Sequence, residues 1–179
     1  MYYKKIEGER IYLSPMCIED AEKYTKWMND FKVTDKINAS TNVVTKESEK
    51  EWIEKNSRIG NYQFAIVKQE NDELIGNCSL FDIDFINQIG TVGIFIGEEE
   101  NRNKGYGTEA LKLLIDYGFN HLNLNNIMLT VYSFNENAIA CYKKVGFKEI
   151  GRRREAYFKN NERYDKMFMD IIRKEYYKE

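Results

Sequence analysis

The sequence carries, from Asn101 to Ala110, the segment NRNKGYGTEA, in which Arg102 is followed by two glycines, Gly105 and Gly107. An apolar run, TVGIFIG, precedes this segment, and apolar side chains recur at helical spacing after it. Glycines between a strand and a helix let backbone N–H groups turn inward, because no Cβ is in the way, and the helix start adds its dipole. The segment therefore predicts a cradle for a pyrophosphate group.

Two other interpretations of the glycines compete with this one. Gly105, Gly107 and Ala110 formally fit the dinucleotide-binding pattern GxGxxA. That motif has its glycines directly after a strand of a parallel βαβ unit, whereas here a charged loop separates Gly97 from Gly105. Alternatively, the glycines only permit a tight turn, and this segment taken alone leaves that interpretation open.

The runs on either side of the loop predict a mixed α and β fold. Before it, short connections between three apolar or alternating runs indicate an antiparallel meander: YQFAIVK, LIGNCSLF and TVGIFIG. After it, we expect a helix, the buried strand NIMLTVY, a second helix and a hairpin that turns at Asn160-Asn161. Either Asn135 or Asn137 would cap the second helix, and Gly146 would end it. The apolar stripe of the first helix is Ala110, Leu111, Leu114, Ile115, Gly118 and Leu122.

The front of the chain predicts a strand, a turn and two helices. Pro15 is the only proline, and the residues after it place apolar side chains at helical spacing. A second helix is expected between Thr45, a plausible cap, and Ser57. Because that stretch is highly charged, we predict a solvent-exposed helix that buries only Trp52 and Ile53.

Composition narrows the classes of protein to consider. The 179 residues suit one domain spanning residues 1–179, and 42% hydrophobic with 31% charged residues is typical of globular proteins. A net charge of −2 gives no electrostatic reason to expect nucleic-acid binding.

We expect no membrane segment and a cytoplasmic location, since no apolar stretch approaches about 18 residues. Cys17, Cys78 and Cys141 are predicted to be free buried thiols, no metal is expected, and His121 suits a helix C-terminus.

A second motif, NENAIACYKKVGF from Asn135 to Phe147, lies about thirty residues further on. Together with the glycine loop, it resembles the acyl-CoA signature of the GNAT superfamily of N-acetyltransferases. The segment WMND at Trp27–Asp30 and the later YFKNNERYD most resemble the branch that contains the RimJ/RimL-type ribosomal-protein acetyltransferases. That branch is related to polyamine and amino-sugar acetyltransferases.

The resemblance implies a fold and a cofactor site. The implied α+β fold has a central, mostly antiparallel, twisted sheet flanked by helices, and its strands at 91–97 and 126–132 splay apart to admit the pantetheine arm of acetyl-CoA. Backbone N–H groups from Asn103 to Thr108 would hold the pyrophosphate. The implied cofactor-binding residues are Phe95, Ile96, Arg102, Asn103, Lys104, Gly105, Tyr106, Gly107, Thr108, Asn135, Asn137 and Tyr142.

The resemblance also implies transfer of an acetyl group to a primary amine by direct attack on the thioester. Tyr142 matches the family tyrosine that assists the departing thiolate. Relatives often carry a Glu on the strand before the loop, but Thr91 and Val92 stand there, so the base stays open among Ser133, Asp82, Asp84 and a water chain. Of these, we favour Ser133.

Three acceptor classes fit the resemblance: a peptide N-terminus such as that of a ribosomal protein, an amino sugar, and a polyamine. A solvated edge strand guarded by charge is the simpler explanation of the run Arg152–Arg154. If one face of the run instead borders the acceptor site, its guanidinium groups would favour a peptide N-terminus or a nucleotide-linked amino sugar over spermidine. A non-catalytic acyl-CoA-binding module is the alternative function. A homodimer is compatible with the resemblance.

Overall fold

The computed structural model describes residues 1–178, which form one eight-stranded sheet and six α-helices. The strands are β1 (Ile6–Glu7), β2 (Ile11–Pro15), β3 (Tyr62–Lys68), β4 (Leu74–Asp84), β5 (Ile89–Ile96), β6 (Asn126–Tyr132), β7 (Lys148–Lys159) and β8 (Glu162–Ile172). The helices are α1 (Ala21–Met28), α2 (Phe31–Thr34), α3 (Lys46–Asn56), α4 (Tyr106–Asn120), α5 (Glu136–Val145) and α6 (Arg173–Tyr176). The strand order across the sheet is β1-β2-β3-β4-β5-β6-β8-β7.

Neighbouring strands run antiparallel throughout the sheet except at β5 and β6, which are parallel. This arrangement confirms the predicted α+β fold with a mostly antiparallel central sheet. The meander β3-β4-β5 and the β7-β8 hairpin are both present, and Asn160 and Asn161 have φ angles of 50° and 62°. Two consecutive left-handed residues match the twist of the flanking strands, so the Asn-Asn turn fixes the hairpin register.

Apolar side chains are buried on both faces of the sheet. On β3, Ala65 packs against α1 and α3 in one hydrophobic core, and its neighbour Ile66 packs with α4 in the other. Since successive strand residues point to opposite faces, a stretch covered on both sides must be apolar throughout, as Phe64–Val67 is. The helices therefore flank the sheet on two sides and leave its central strands buried.

Local signals in the sequence place the helices as expected. Pro15 ends β2, α1 starts at Ala21, and Thr45 caps α3 by accepting a hydrogen bond from the Ser48 N–H. His121 is the residue that terminates α4, and Gly146 terminates α5 with a φ of 118°. None of the helices within residues 1–178 is long and apolar enough to cross a bilayer.

Two expectations about burial were wrong. On α3, Ile53 is buried as predicted, but Trp52 is 40% exposed and Glu49 is only 6% exposed. Charge content alone does not determine which side of a helix packs, and Glu49 lies one turn before Ile53 on the packed face. All three cysteines are free, yet only Cys78 is buried, whereas Cys17 and Cys141 are partly exposed.

Candidate functional site

Strands β5 and β6 separate after a short paired region. They pair only where Ile89–Thr91 faces Asn126–Met128. The rest of β5 pairs with β4 alone, and the rest of β6 pairs with β8 alone. The backbone groups that face the gap are free to pair with an extended ligand, as an added strand would. The predicted splay between the two strands is therefore present.

A cavity of about 570 Å³ lies at this gap, between the glycine loop and helix α5. We name it the loop cavity. It is lined by Lys32, Val33, Lys36, Ile37, Ile94, Phe95, Ile96, Glu99, Asn101, Arg102, Asn103, Gly105, Gly107, Thr108, Leu111, Asn135, Asn137, Ala138, Ala140, Cys141, Tyr142 and Lys144. Four lysine or arginine side chains and one carboxylate line it, so its potential favours an anionic ligand.

The glycine loop presents backbone N–H groups to the loop cavity. Gly105 starts α4 with a φ of 88°, and no side chain caps this helix start. The first N–H groups of a helix have no partner within the helix, so those at the start of α4 are free to bind an anion. Gly107 and Thr108 line the cavity at this end. The local structure therefore fits the predicted phosphate cradle.

Arg10 holds the glycine loop from outside the cavity. Its Nη1 donates a hydrogen bond to the Lys104 carbonyl at 2.8 Å, and its Nε contacts the Glu109 carboxylate at 3.0 Å. A Cβ at Gly105 would lie 3.0 Å from Arg10 Nη2, so the guanidinium occupies space next to the loop backbone. This brace joins the start of β2 to α4, a contact between distant parts of the chain that no sequence motif indicated.

Positive charge is concentrated around the loop cavity. The Arg102 Nε donates a hydrogen bond to the Ile96 carbonyl at 3.1 Å, and its Nη2 donates to the Gly97 carbonyl. Burial lowers the pKa of the Lys36 ammonium, and the positive charge of the neighbouring Arg102 lowers this pKa further. An anion bound there would relieve the repulsion between these two cations. Nothing in the sequence indicated that Lys32 and Lys36 line this cavity, because α2 is short and lies in a polar stretch of the chain.

Most of the predicted cofactor residues line the loop cavity, and two do not. Lys104 is exposed, and the Tyr106 ring packs beneath Arg10, whose Cζ lies 5.0 Å from the ring centroid. Neither side chain lines the cavity, although the backbone N–H groups of both residues belong to the glycine loop. The predicted residues that line the cavity are Phe95, Ile96, Arg102, Asn103, Gly105, Gly107, Thr108, Asn135, Asn137 and Tyr142.

Helix α5 brings Asn135 and Tyr142 to the loop cavity. Asn135 occupies the capping position of α5, but its side chain makes no capping hydrogen bond. Burial raises the pKa of the Tyr142 phenol, so the phenol keeps its proton at neutral pH and can donate a hydrogen bond. Beside it, the Cys141 thiol lies 3.2 Å from the Thr108 hydroxyl, which links α5 to the start of α4.

A second cavity, of about 820 Å³, lies on the side of β4 and β5 that faces α3. We name it the α3 cavity. It is lined by Tyr24, Met28, Ile37, Thr41, Asn42, Val43, Val44, Ser48, Glu49, Trp52, Gln63, Asn77, Ser79, Phe81, Gly93, Ile94 and Phe95. The two cavities share Ile37, Ile94 and Phe95 and are therefore adjacent. Ligands bound in the two cavities would meet at these three residues.

None of the three residues considered as a base lines either cavity. The Ser133 hydroxyl accepts a hydrogen bond from the Asp165 N–H at 3.1 Å, so it joins the end of β6 to β8. Asp82 is exposed at the end of β4, and the Asp84 carboxylate accepts hydrogen bonds from the N–H groups of Ile86 and Asn87, both at 2.9 Å. The carboxylate that lines the α3 cavity is Glu49, which the sequence interpretation did not identify.

Comparisons with known proteins agree with this geometry. Residues 10–148 match the family model of the acetyltransferase (GNAT) domain. The chain is 31% identical over 171 residues to the uncharacterized N-acetyltransferase p20 of Bacillus licheniformis, across 94% of this chain and 96% of that protein. The spermidine N-acetyltransferase of Vibrio cholerae, solved with CoA and spermine, has a TM-score of 0.85 at 23% identity, across 95% of this chain and 99% of that one. RimL, a ribosomal L7/L12 α-N-protein acetyltransferase solved with CoA, has a TM-score of 0.79 at 15% identity, across 92% of this chain and 95% of that one.

Proposed function

Because the chain belongs to the GNAT acetyltransferase family and is an acyltransferase, we propose that it transfers the acetyl group of acetyl-CoA to a primary amine bound in the α3 cavity. One observation carries this proposal. The loop cavity, with its N–H groups and cations, adjoins a separate cavity at Ile37, Ile94 and Phe95. Two substrates held on either side of that junction can react directly with each other.

Acetyl-CoA fits the loop cavity by its chemistry. Its pyrophosphate suits the N–H groups from Asn103 to Thr108, and Lys36 and Arg102 would add positive charge. Its pantetheine arm carries amides that can pair with the unpaired backbone of β5 and β6. Asn137 would hydrogen-bond this arm. The solved structures of similar fold that contain CoA support this assignment.

The proposed reaction needs two protons to leave the acceptor. An alkylammonium of pKa about 10.4 first loses one proton, and its nitrogen then attacks the thioester carbonyl. The N–C bond forms, the C–S bond breaks, and the thiolate of CoA departs. Tyr142 would donate its phenolic proton to that thiolate and regain a proton from the acylated nitrogen. Since Ser133 lines neither cavity, we assign the first proton to solvent.

The acceptor class is the finer part of the proposal. The arginine run lies on β7, the edge strand of the sheet, where Arg152, Arg153 and Arg154 are all exposed and line neither cavity. Arg152 also pairs with Glu149. The run therefore gives no support for an acidic acceptor. The similar structures include both a spermidine acetyltransferase and RimL, so the fold itself is compatible with small amines and with peptide N-termini.

An acetyl-transfer assay separates the enzyme from a non-catalytic acyl-CoA-binding module. We expect the purified protein to release free CoA thiol from acetyl-CoA only when a suitable primary amine is added, because attack by the amine breaks the thioester bond. The screen would cover polyamines, peptides with free N-termini and aminated nucleotide sugars. Binding of acetyl-CoA without release in the presence of any of these amines would favour the non-catalytic module.

A further inference from the structure

Glu49 is a buried carboxylate on helix α3, most of whose residues are exposed. It is 6% exposed, while its neighbours Ser48 and Lys50 are exposed. The side chain is fixed by the helix start, where Thr45 and Ser48 form a reciprocal capping box, and by Ile53, which is buried one turn later. The position of Glu49 against the sheet is thus determined by packing and not by a flexible loop.

Within residues 1–178, the Glu49 carboxylate has no salt bridge and no hydrogen bond from a side chain or from the backbone of another element. Burial alone raises its pKa above the ordinary value of 4.5. A largely buried carboxylate without a partner loses part of its hydration, which is costly. A carboxylate kept in that state beside a large cavity is explained by a ligand that supplies the missing partner.

The rest of the α3 cavity fits a cation. Glu49 is the only charged side chain among the residues that line it. The buried Tyr24 hydroxyl has no hydrogen-bond partner within the described chain, and its oxygen can accept a hydrogen bond from an ammonium. Tyr24, Trp52, Phe81 and Phe95 supply aromatic rings, whose faces attract ammonium groups. An anionic group at this place would face Glu49 directly and be repelled.

The location of Glu49 separates it from the reacting atoms. Glu49 lines only the α3 cavity, whereas Tyr142 lines only the loop cavity, and the junction between them is formed by Ile37, Ile94 and Phe95. An acceptor whose reactive nitrogen reaches this junction therefore extends away from it toward Glu49. The group at its far end is the one that the carboxylate meets.

We propose that Glu49 is the specificity-determining residue of the acceptor site and binds the distal ammonium of a small diamine or polyamine. This assignment rests on the proposed acetyl transfer. The near nitrogen of the acceptor is neutral and attacks acetyl-CoA, and the far nitrogen stays protonated and pairs with Glu49. The groups that would recognise the acceptor are thus the Glu49 carboxylate, the Tyr24 hydroxyl and the aromatic rings of the same cavity.

Three sets of probes of equal length test the assignment. Straight-chain α,ω-diamines of four to eight carbons have an ammonium at the far end, the corresponding alkylamines have a methyl group there, and the corresponding ω-amino acids have a carboxylate. We expect diamines to exceed alkylamines in kcat/KM by about 10- to 150-fold, as for a hydrogen bond to a charged group. The ω-amino acids should be the poorest acceptors.

The variant Glu49→Gln keeps the side-chain volume and removes the charge. We expect it to raise KM for diamines by about 10- to 150-fold, with kcat and the alkylamine rates nearly unchanged, so that the preference for diamines disappears. Glu51→Gln, on the exposed side of the same helix, is the matched control and should retain the preference. The melting temperature of Glu49→Gln at pH 7 should equal or exceed that of the wild type, because an uncompensated buried charge is removed.

Several outcomes would overturn the assignment. Equal rates for diamines and alkylamines in the wild type would show that no distal ammonium is recognised. A Glu49→Gln variant that keeps the preference, or that loses kcat with KM unchanged, would exclude a role in binding the far end. Failure of the proposed acetyl transfer would look different, since no amine of any set would then release CoA.

Discussion

Gly107→Glu is expected to weaken binding of CoA and acetyl-CoA by at least about a hundred-fold, or about 2.7 kcal/mol. Gly107 lines the loop cavity at the start of α4, where the pyrophosphate is proposed to bind. A glutamate there fills part of that space and adds a negative charge next to the phosphates. Isothermal titration calorimetry with CoA measures the loss.

The fold should tolerate this change, which makes the binding result interpretable. Gly107 is not among the residues with positive φ, and an added Cβ would lie 3.9 Å from Ile96 Cγ1, an ordinary contact. We therefore expect an unchanged circular dichroism spectrum. Gly107→Ala is the matched control, with a smaller loss of affinity because no charge is added. Wild-type affinity in Gly107→Glu would contradict the position of the pyrophosphate.

Tyr142→Phe is expected to lower kcat by about 10²- to 10⁴-fold, the usual effect of losing a general acid. The Tyr142 phenol lines the loop cavity, and burial raises its pKa, so it is protonated at neutral pH. The departing thiolate carries negative charge, so a hydrogen bond or a proton from a nearby phenol assists its departure. Removing one oxygen leaves the ring contacts with Phe147 in place.

Two measurements distinguish this role from a structural one. The affinity of Tyr142→Phe for acetyl-CoA should stay within a few-fold of the wild type, because the ring still fills its place. Tyr117→Phe removes the same atom from a tyrosine on α4 that lines neither cavity, and kcat should not change. If kcat of Tyr142→Phe matched that of the wild type, Tyr142 would be only a packing residue.

Local signals in the sequence were sufficient for the fold and for the position of the glycine loop. Pro15, the Asn160-Asn161 turn and Gly146 each determine backbone geometry over a few residues, so their effects do not depend on distant parts of the chain. The glycine loop is similarly local, because Gly105 both permits the left-handed conformation and starts the helix. These features are present where the sequence predicted them.

Residues that depend on packing between distant elements were missed. Arg10 meets the glycine loop from β2, and Lys36 reaches the loop cavity from the segment after α2, although neither belongs to a motif. The burial of Glu49 could not be predicted from the sequence of a highly charged helix, because it depends on how α3 packs against the sheet. Conversely, Lys104 and Tyr106 lie within the motif but are not among the residues that line the loop cavity.

The most direct test of the central claim follows the acetyl group itself. Acetyl-CoA labelled with carbon-13 at the acetyl carbonyl is mixed with the protein and the best amine from the screen, and the carbonyl signals are followed by NMR. We predict that the thioester signal is replaced by an amide signal of equal intensity, with no free acetate and no reaction when either the amine or the protein is omitted. Conversion to acetate, or a thioester signal that persists with every amine, would contradict the account.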